Sequence, residues 1–274
     1  MNIYFKIELD TASVSNLVEG SFNERVENLK SGYFETILFY KSIHYLEEHL
    51  DRLFKSITNC NFEKKSKELK NIILNITKIE LKLNKSQNSF RLNLYSNDQN
   101  SFYFKISKIN ENQILNKIKL KFVPNFYNKN DTFYQKKNIE REKYNELIFK
   151  DKILHSLIGN NNNEICETTI SNIYFVKNNI IYTPPLNSPC LPGIMRGVYL
   201  RNLGINETYI NINDIINFDF AFLTNSLKPI QFVESIDDYF FNYQRYELFL
   251  LDIIKNFKVI EDNDLLDYIL KFLK

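Results

Sequence analysis

Cysteine is scarce in this chain of 274 residues, and tryptophan is absent. The three cysteines, Cys60, Cys166 and Cys190, are odd in number and lack both the CxxC spacing and the Cys/His spacing of metal sites. This argues against a disulfide framework and against a zinc site. We therefore expect a reducing compartment and no bound metal.

Long apolar runs and clusters of one charge are also missing. No stretch has about 18 uncharged apolar residues, and the first residues lack a basic start followed by an apolar run. The 35 basic and 33 acidic residues give a net charge of +2 and are spread along the chain. We therefore expect a soluble cytoplasmic protein without a nucleic-acid or membrane partner. Dinucleotide, ATP and α/β-hydrolase motifs (GxGxxG, P-loop, GxSxG) are likewise absent.

The first half of the chain alternates strand and helix patterns. Apolar residues at helical spacing predict a helix over 46–60, and a second helix is expected over 64–81. Runs rich in aromatic and β-branched residues predict a hairpin over 33–45 and paired strands over 90–95 and 102–107. This order predicts a two-layer α+β unit.

A polar stretch over 108–117 is the predicted linker, which divides the chain into a small domain, 1–112, and a larger one, 113–274. In the larger domain we expect strands over 118–123 and 218–223 and helices over 138–148, 193–203 and 239–257.

The most informative pattern lies in the second half. It consists of Glu167 followed by Ser171-Asn172, then Thr183-Pro184, then Gly193-Ile194-Met195-Arg196. This order and spacing resemble the signature of class-IV aminotransferases, enzymes of fold type IV that use pyridoxal 5′-phosphate (PLP). The resemblance implies an α+β fold, with a small α/β sandwich domain and a larger β-barrel-like domain that carries helices.

The resemblance also implies a lysine that binds the cofactor covalently. Lys137, with Arg141 and Tyr144, is similar to the Lys-x-x-x-Arg-x-x-Tyr segment of aminodeoxychorismate lyases. Lys136 is the alternative, although it does not place Arg141 at the matching offset.

By the same resemblance, Glu167 pairs with the pyridine nitrogen of the cofactor. Arg52, in a His-x-x-Arg-Leu segment, binds the phosphate. The other implied cofactor residues are Ser171, Asn172, Gly193, Ile194, Met195, Thr224 and Asn225.

Three segments favour 4-amino-4-deoxychorismate lyase within the family: the lysine segment, Leu-Pro-Gly-Ile-Met-Arg ending at Arg196, and Thr-Asn-Ser-Leu from Thr224. Such a lyase forms 4-aminobenzoate and pyruvate in folate biosynthesis. Arg91 and Arg196 are the candidates for binding the substrate carboxylate. The resemblance further implies a homodimer and an association with aminodeoxychorismate synthase. Two alternatives stay open: a branched-chain or D-amino-acid aminotransferase, and a non-catalytic relative that acts as an interaction protein.

Overall fold

The computed structural model describes residues 2–8, 13–27, 29, 32–57, 70–77, 89–96, 101–109, 117–128, 135–138, 147, 154–257 and 263–271. The chain divides into two compact units. Unit 1 comprises Met1–Asn112 and Lys136–Arg141, and unit 2 comprises Gln113–Gln135 and Glu142–Lys274. No helix within the described ranges is long and apolar enough to cross a membrane.

Unit 1 is built on a five-stranded antiparallel sheet with the order β2-β1-β7-β6-β3. Its strands are β1 (Asn2–Glu8), β2 (Ser13–Leu17), β3 (Gly32–Ile37), β6 (Phe90–Ser96) and β7 (Ser101–Lys108), with β4 (Phe39–Tyr40) and β5 (Ser42–Ile43) as a separate pair. Its helices are α1 (Glu19–Val26), α2 (Leu46–Lys55) and α3 (70–77).

The two faces of this sheet are covered differently. On one face, α2 buries Leu46, Leu50 and Leu53 in a core shared with Phe5 and Phe104, whose rings stack 5.0 Å apart. The exposed residues of α2 are charged, so its amphipathic pattern places it on the sheet. On the other face, Phe22 of α1 packs with Tyr4 and Tyr103.

The predicted helix at 46–60 and the paired strands at 90–95 and 102–107 are confirmed as α2, β6 and β7. The hairpin over 33–45 is confirmed in part, because β4 and β5 pair as antiparallel strands within it. β3 pairs with β6, while Lys41, at φ 57°, turns the chain between β4 and β5. Of the predicted second helix, residues 70–77 are described and helical.

Unit 2 contains a mixed sheet whose path is β10-β9-β8-β15-β14-β11-β12-β13, with β16 paired to β15. The pairs β8–β9, β8–β15 and β12–β13 are parallel and the others antiparallel. The strands are β8 (Lys117–Tyr127), β9 (Leu154–Asn160), β10 (Ile165–Thr168), β11 (Asn172–Lys177), β12 (Ile180–Thr183), β13 (Ile205–Glu207), β14 (Phe220–Thr224), β15 (Gln231–Ile236) and β16 (Tyr239–Phe240). The helices are α4 (Ile194–Asn202), a 3-10 helix (Ile212–Asn217), α5 (Tyr243–Phe257) and α6 (Asn263–Lys271).

The helix predicted over 193–203 is confirmed as α4, which begins after Gly193. The last long helix begins at Tyr243 rather than at Tyr239, because Tyr239 and Phe240 pair with β15 as β16. The helix predicted over 138–148 lies outside the described residues, apart from 138 and 147. Sheets and helices together confirm the predicted α+β class.

Candidate active site

Glu167 is held at one end of the sheet in unit 2. It belongs to β10 and is 3% exposed. One carboxylate oxygen accepts a hydrogen bond from the backbone N–H of Leu191 at 2.9 Å, and the other accepts one from the Tyr127 hydroxyl at 3.3 Å. Donors aimed at a carboxylate favour its charged form. The fold therefore fixes a buried carboxylate in one orientation.

Two strands bring a set of short polar side chains together. β11 and β14 are antiparallel neighbours, and Asn172 lies opposite Thr224 in their register. Just outside this pair, Asn225 Nδ2 donates to Ser171 Oγ at 3.0 Å. Asn225 Oδ1 accepts from the N–H groups of Leu227 and Lys228, at 2.9 and 2.8 Å, which shapes the turn after β14.

Asn172 also holds the segment that leads into α4. Its Nδ2 donates to the carbonyl of Leu191 at 2.9 Å. A Cβ added to Gly193 would lie 2.1 Å from Asn172 Oδ1, so only glycine fits there without displacement. The carbonyl of Leu191 thus binds Asn172, while its N–H binds Glu167.

The start of α4 can receive an anion. Gly193 is the N-cap and makes no side-chain cap, and the first turn, which includes Ile194 and Met195, carries no acidic residue. The first N–H groups of a helix lack intrahelical partners and, with the helix dipole, suit a phosphate. The chemistry of these donors, with the hydroxyls of Ser171 and Thr224 nearby in the fold, fits the phosphate of the expected cofactor.

Cys166 and Cys190 are buried close to Glu167. Burial raises the pKa of both thiols, that of Cys190 to about 12, and the negative charge of Glu167 raises them further. Both therefore stay protonated near neutral pH, which makes them poor nucleophiles.

Arg52 lies in unit 1, on the face of α2 that packs on the sheet. Its Nε and Nη2 donate to the two carboxylate oxygens of Glu35, at 2.8 and 2.5 Å, and His49 Nδ1 lies 2.7 Å from Glu35. All three side chains are buried. Burial would raise the pKa of Glu35, but the charge of Arg52 and the hydrogen bonds from His49 and Arg52 hold that pKa well below its usual value. The role of Arg52 toward a phosphate stays a prediction.

The two adjacent lysines have different surroundings in unit 1. The carbonyl of Lys137 accepts the N–H of Phe34 at 2.9 Å, and the Lys137 ammonium lies 5.1 Å from the centre of the Phe34 ring. Lys136 Nζ instead donates to the carbonyl of Ser56, just after α2, at 3.3 Å. Arg141 and Tyr144, which favoured Lys137 in the sequence, lie outside the described residues.

The two candidate arginines for a substrate carboxylate also differ. Arg196 is 2% exposed, and its Nη2 donates to the carbonyl of Pro184 at 3.0 Å and forms an ion pair with Glu207. Arg91, in unit 1, stacks on Phe34 with its guanidinium carbon 3.8 Å from the ring centre.

The predicted residues thus form two sets, one within each unit. Arg52, Arg91 and Lys137 belong to unit 1, and the remaining predicted residues belong to unit 2. Sequence reasoning missed the partners Tyr127 and Leu191. Their contacts with Glu167 span 40 and 24 residues, and no local pattern signals such a pair.

Residues 32–236 match the family model described as amino-transferase class IV. The chain belongs to the class IV aminotransferase family. The predicted family is therefore confirmed, and at the level of the family so is the predicted cofactor, pyridoxal 5′-phosphate.

Among curated relatives, the chain is 33% identical over 78 residues to D-alanine aminotransferase of Bacillus licheniformis. That match covers 27% of this chain and only 28% of the relative. Among solved structures, one from Legionella pneumophila, of a protein proposed to be a 4-amino-4-deoxychorismate lyase, has a TM-score of 0.65 and 23% identity, covering 82% of this chain and 91% of that one. An aminotransferase of Brucella abortus bound to the cofactor PLP has a TM-score of 0.64 and 14% identity, covering 91% and 98%. At these identities the likeness shows the fold, which is the predicted fold type IV.

Proposed function

We propose that the chain is a PLP-dependent 4-amino-4-deoxychorismate lyase that forms 4-aminobenzoate and pyruvate. The observation that carries the proposal is the arrangement in unit 2: a buried carboxylate, Glu167, oriented by two donors, together with hydroxyl, amide and helix N-terminal donors suited to a phosphate. Family membership supports the cofactor. The lysine and Leu-Pro-Gly-Ile-Met-Arg segments, with the likeness to the Legionella protein, support the lyase.

Each residue has a role in this proposal. When bound, PLP supplies an electron-accepting ring that takes up the charge left as the substrate loses a proton. Lys137 would hold the cofactor covalently, and its amine, when free, would accept the proton that leaves C4 of the substrate ring. Glu167 pairs with the pyridine nitrogen, and Ser171, Thr224 and the start of α4 bind the phosphate. The C–O bond that joins the enolpyruvyl group to the ring would then break, and the departing enolate would take up a proton, returned by Lys137, to become pyruvate. The loss of both groups leaves an aromatic ring.

A transaminase is the second candidate, favoured by the 33% identity to D-alanine aminotransferase over 78 residues. A homodimer, an association with aminodeoxychorismate synthase and a cytoplasmic location stay predictions attached to the proposal.

The test is an assay of the PLP-loaded protein for 4-aminobenzoate and pyruvate, with aminodeoxychorismate generated enzymatically. Transfer of the amino group from L- or D-alanine to 2-oxoglutarate is measured in parallel. Formation of both lyase products supports the lyase, whereas amino transfer without them replaces it by the transaminase.

The two lysines provide a matched pair of variants for this assay. Lys137→Ala should abolish turnover and covalent retention of the cofactor, while Lys136→Ala should keep both, because its ammonium binds the Ser56 carbonyl. Loss with Lys136→Ala and retention with Lys137→Ala would reverse the assignment.

A further inference from the structure

The last part of β8 is irregular, and the irregularity sets the position of Tyr127. Val123 pairs with Ile158 of β9, and the next pair along the two strands is Tyr127 with Asn160. Four residues of β8 thus advance against two of β9. Tyr127 takes the position opposite Asn160 that Asn125 would hold in a regular parallel ladder. Extra residues of this kind re-aim a side chain, and they are common beside active sites.

Pro124 and Asn125 account for this irregularity. Proline lacks the backbone N–H that a ladder needs, and within sheets it is found at edges and bulges. Asn125 has φ 57°, in the left-handed region that asparagine tolerates better than most residues. Both residues are exposed, so packing against the core does not hold them in place. The local sequence itself therefore produces the extra residues.

A second irregularity, in β10, lies directly before Glu167. Cys166 is an extra residue in the pairing of β10 with β9. Tyr127, Ile158 and Cys166 pack in one buried cluster, so the Tyr127 side chain extends from β8 across β9 to β10. Its hydroxyl lies 3.3 Å from Glu167 Oε1. The contact is therefore made between two irregular strands, one on either side of β9.

The Tyr127 side chain is held on several sides. It is 1% exposed, its ring meets that of Phe126 edge-on with 5.1 Å between the centres, and its backbone carbonyl accepts the N–H of Asn161 at 3.2 Å. A charged carboxylate only accepts hydrogen bonds, whereas a tyrosine hydroxyl carries one proton to donate. Glu167 therefore accepts a hydrogen bond from a side chain that has little freedom to turn away.

A fixed donor changes how Glu167 would share a proton with a cofactor. Hydrogen bonds to a carboxylate favour its charged form. With donors from Tyr127 and Leu191 on its two oxygens, Glu167 competes less for a proton held by a pyridine nitrogen. The proton then stays on the ring, and a protonated ring is the better electron acceptor.

We propose that Tyr127 is a positioning residue that acts through Glu167 to keep the pyridine nitrogen of PLP protonated and so strengthens the binding of the cofactor ring. The inference rests on the proposed function for the contact between Glu167 and that nitrogen. It applies to a lyase and to a transaminase alike, because both use the same ring.

The experiment compares PLP with 1-deaza-PLP, in which a C–H group replaces the ring nitrogen, by equilibrium binding to the cofactor-free full chain. The analogue keeps the phosphate and the aldehyde but cannot form the contact with Glu167. We expect the unmodified chain to bind PLP more tightly by tenfold or more, and the ratio of the two dissociation constants to fall about fivefold in Tyr127→Phe. Because the ratio is taken within each protein, a general loss of stability leaves it unchanged.

Tyr199→Phe is the matched control. Tyr199 is also fully buried in unit 2, but its hydroxyl donates to the carbonyl of Pro229, at 2.6 Å, and not to Glu167. The variant therefore removes a buried tyrosine hydroxyl of the same kind. It should keep the ratio of the unmodified chain.

Two variants of Asn125 test the same contact without changing the tyrosine. Asn125→Gly keeps access to φ 57° and should keep the ratio. Asn125→Val places a β-branched residue in a left-handed conformation that it avoids, so the strand should shift, move the Tyr127 hydroxyl away from Glu167 and lower the ratio. This pair takes the place of Tyr127→Phe if that variant does not fold.

Three outcomes overturn the proposal: an unchanged ratio in Tyr127→Phe, an equal fall in Tyr199→Phe, or equal binding of the two ligands by the unmodified chain. Where the Asn125 pair stands in for Tyr127→Phe, equal ratios in its two variants overturn it as well. The assay for 4-aminobenzoate tests the proposed function separately. A chain that prefers PLP, loses that preference in Tyr127→Phe and forms no 4-aminobenzoate would lose the lyase assignment and keep Tyr127 as a positioning residue.

Discussion

Glu35 is a buried charge in the interior of unit 1. It is fully buried, and its carboxylate is bound by Arg52 and His49 of α2. Because removing one partner of a buried ion pair leaves an uncompensated charge, such pairs resist substitution. The cluster therefore ties β3 to α2 and fixes the guanidinium that is predicted to bind the cofactor phosphate.

We predict that Glu35→Gln lowers the free energy of unfolding by about 3–5 kcal/mol at pH 7.5. The pKa of Glu35 is lower in the folded chain than in the unfolded chain, so its stabilisation is present above the ordinary carboxyl pKa and is lost as the pH falls below about 4.3. The difference in unfolding free energy between the unmodified chain and Glu35→Gln should therefore narrow toward pH 3.5, as measured by urea unfolding.

Asp51→Asn provides the control for this series. Asp51 lies on the exposed side of α2, where its ion pair with Lys70 is exposed to solvent. Exposed ion pairs contribute little to stability, so the unfolding free energy of Asp51→Asn should change by no more than about 0.5 kcal/mol. A Glu35→Gln deficit that stayed constant from pH 7.5 to 3.5 would contradict the ionic origin of the stabilisation.

At this scale, the sequence indicated Arg52 but not its partner. The His-x-x-Arg-Leu spacing is local, so it can be read along the chain. The pairing of Arg52 with Glu35 spans 17 residues and depends on how α2 packs on β3. The same holds for Arg91, whose platform Phe34 lies on a neighbouring strand far along the chain.

Among whole elements, those with local signals were predicted best. α2 and α4 follow from apolar spacing and from a glycine at the N-cap. The strands β1 and β2 were missed, although they pair with each other across a short connection. The other partner of β1 is β7, about a hundred residues later, and that pairing gives no short-range signal. The hairpin predicted over 33–45 is correct only for β4 and β5, since β3 pairs with the distant β6.

The start of α4 is the element on which phosphate binding is predicted to depend. Gly193→Ala would place a Cβ 2.1 Å from Asn172 Oδ1, so the side chain or the helix start must shift. We expect a loss of about 1–3 kcal/mol in unfolding free energy and weaker binding of PLP by the variant, because the donors before and within α4 move together. Urea unfolding and a PLP titration measure the two effects.

Gly204→Ala is the matched control at the other end of the same helix. A Cβ there meets nothing within 4 Å, so stability should change by no more than about 0.5 kcal/mol. Equal unfolding free energies and equal PLP binding in the two alanine variants would show that the close approach of Gly193 to Asn172 affects neither stability nor cofactor binding.

At the scale of the molecule, each unit has its own sheet, and the sequence predicted this α+β composition. The order of the strands in each sheet could not be predicted from the sequence. In unit 2, β15 lies between β8 and β14, and its parallel pairing with β8 joins residues more than a hundred positions apart. Glu167 meets Tyr127 because β9 places β10 near β8, so the residue types could be predicted from the sequence and this contact could not.

Binding of PLP should stabilise the whole chain against heat. A ligand that binds only the folded state adds about 2.7 kcal/mol at a hundred times its dissociation constant, which corresponds to a rise in Tm of roughly 5–10 °C for a protein of this size. If the start of α4 binds the phosphate, pyridoxal without its phosphate should raise Tm much less at the same concentration, and Gly193→Ala should reduce the rise with PLP. Lys137→Ala should keep part of it, because phosphate binding does not need the covalent bond. Scanning calorimetry measures these changes in Tm. Equal rises in Tm with PLP and with pyridoxal would show that the donors of unit 2 do not recognise the phosphate.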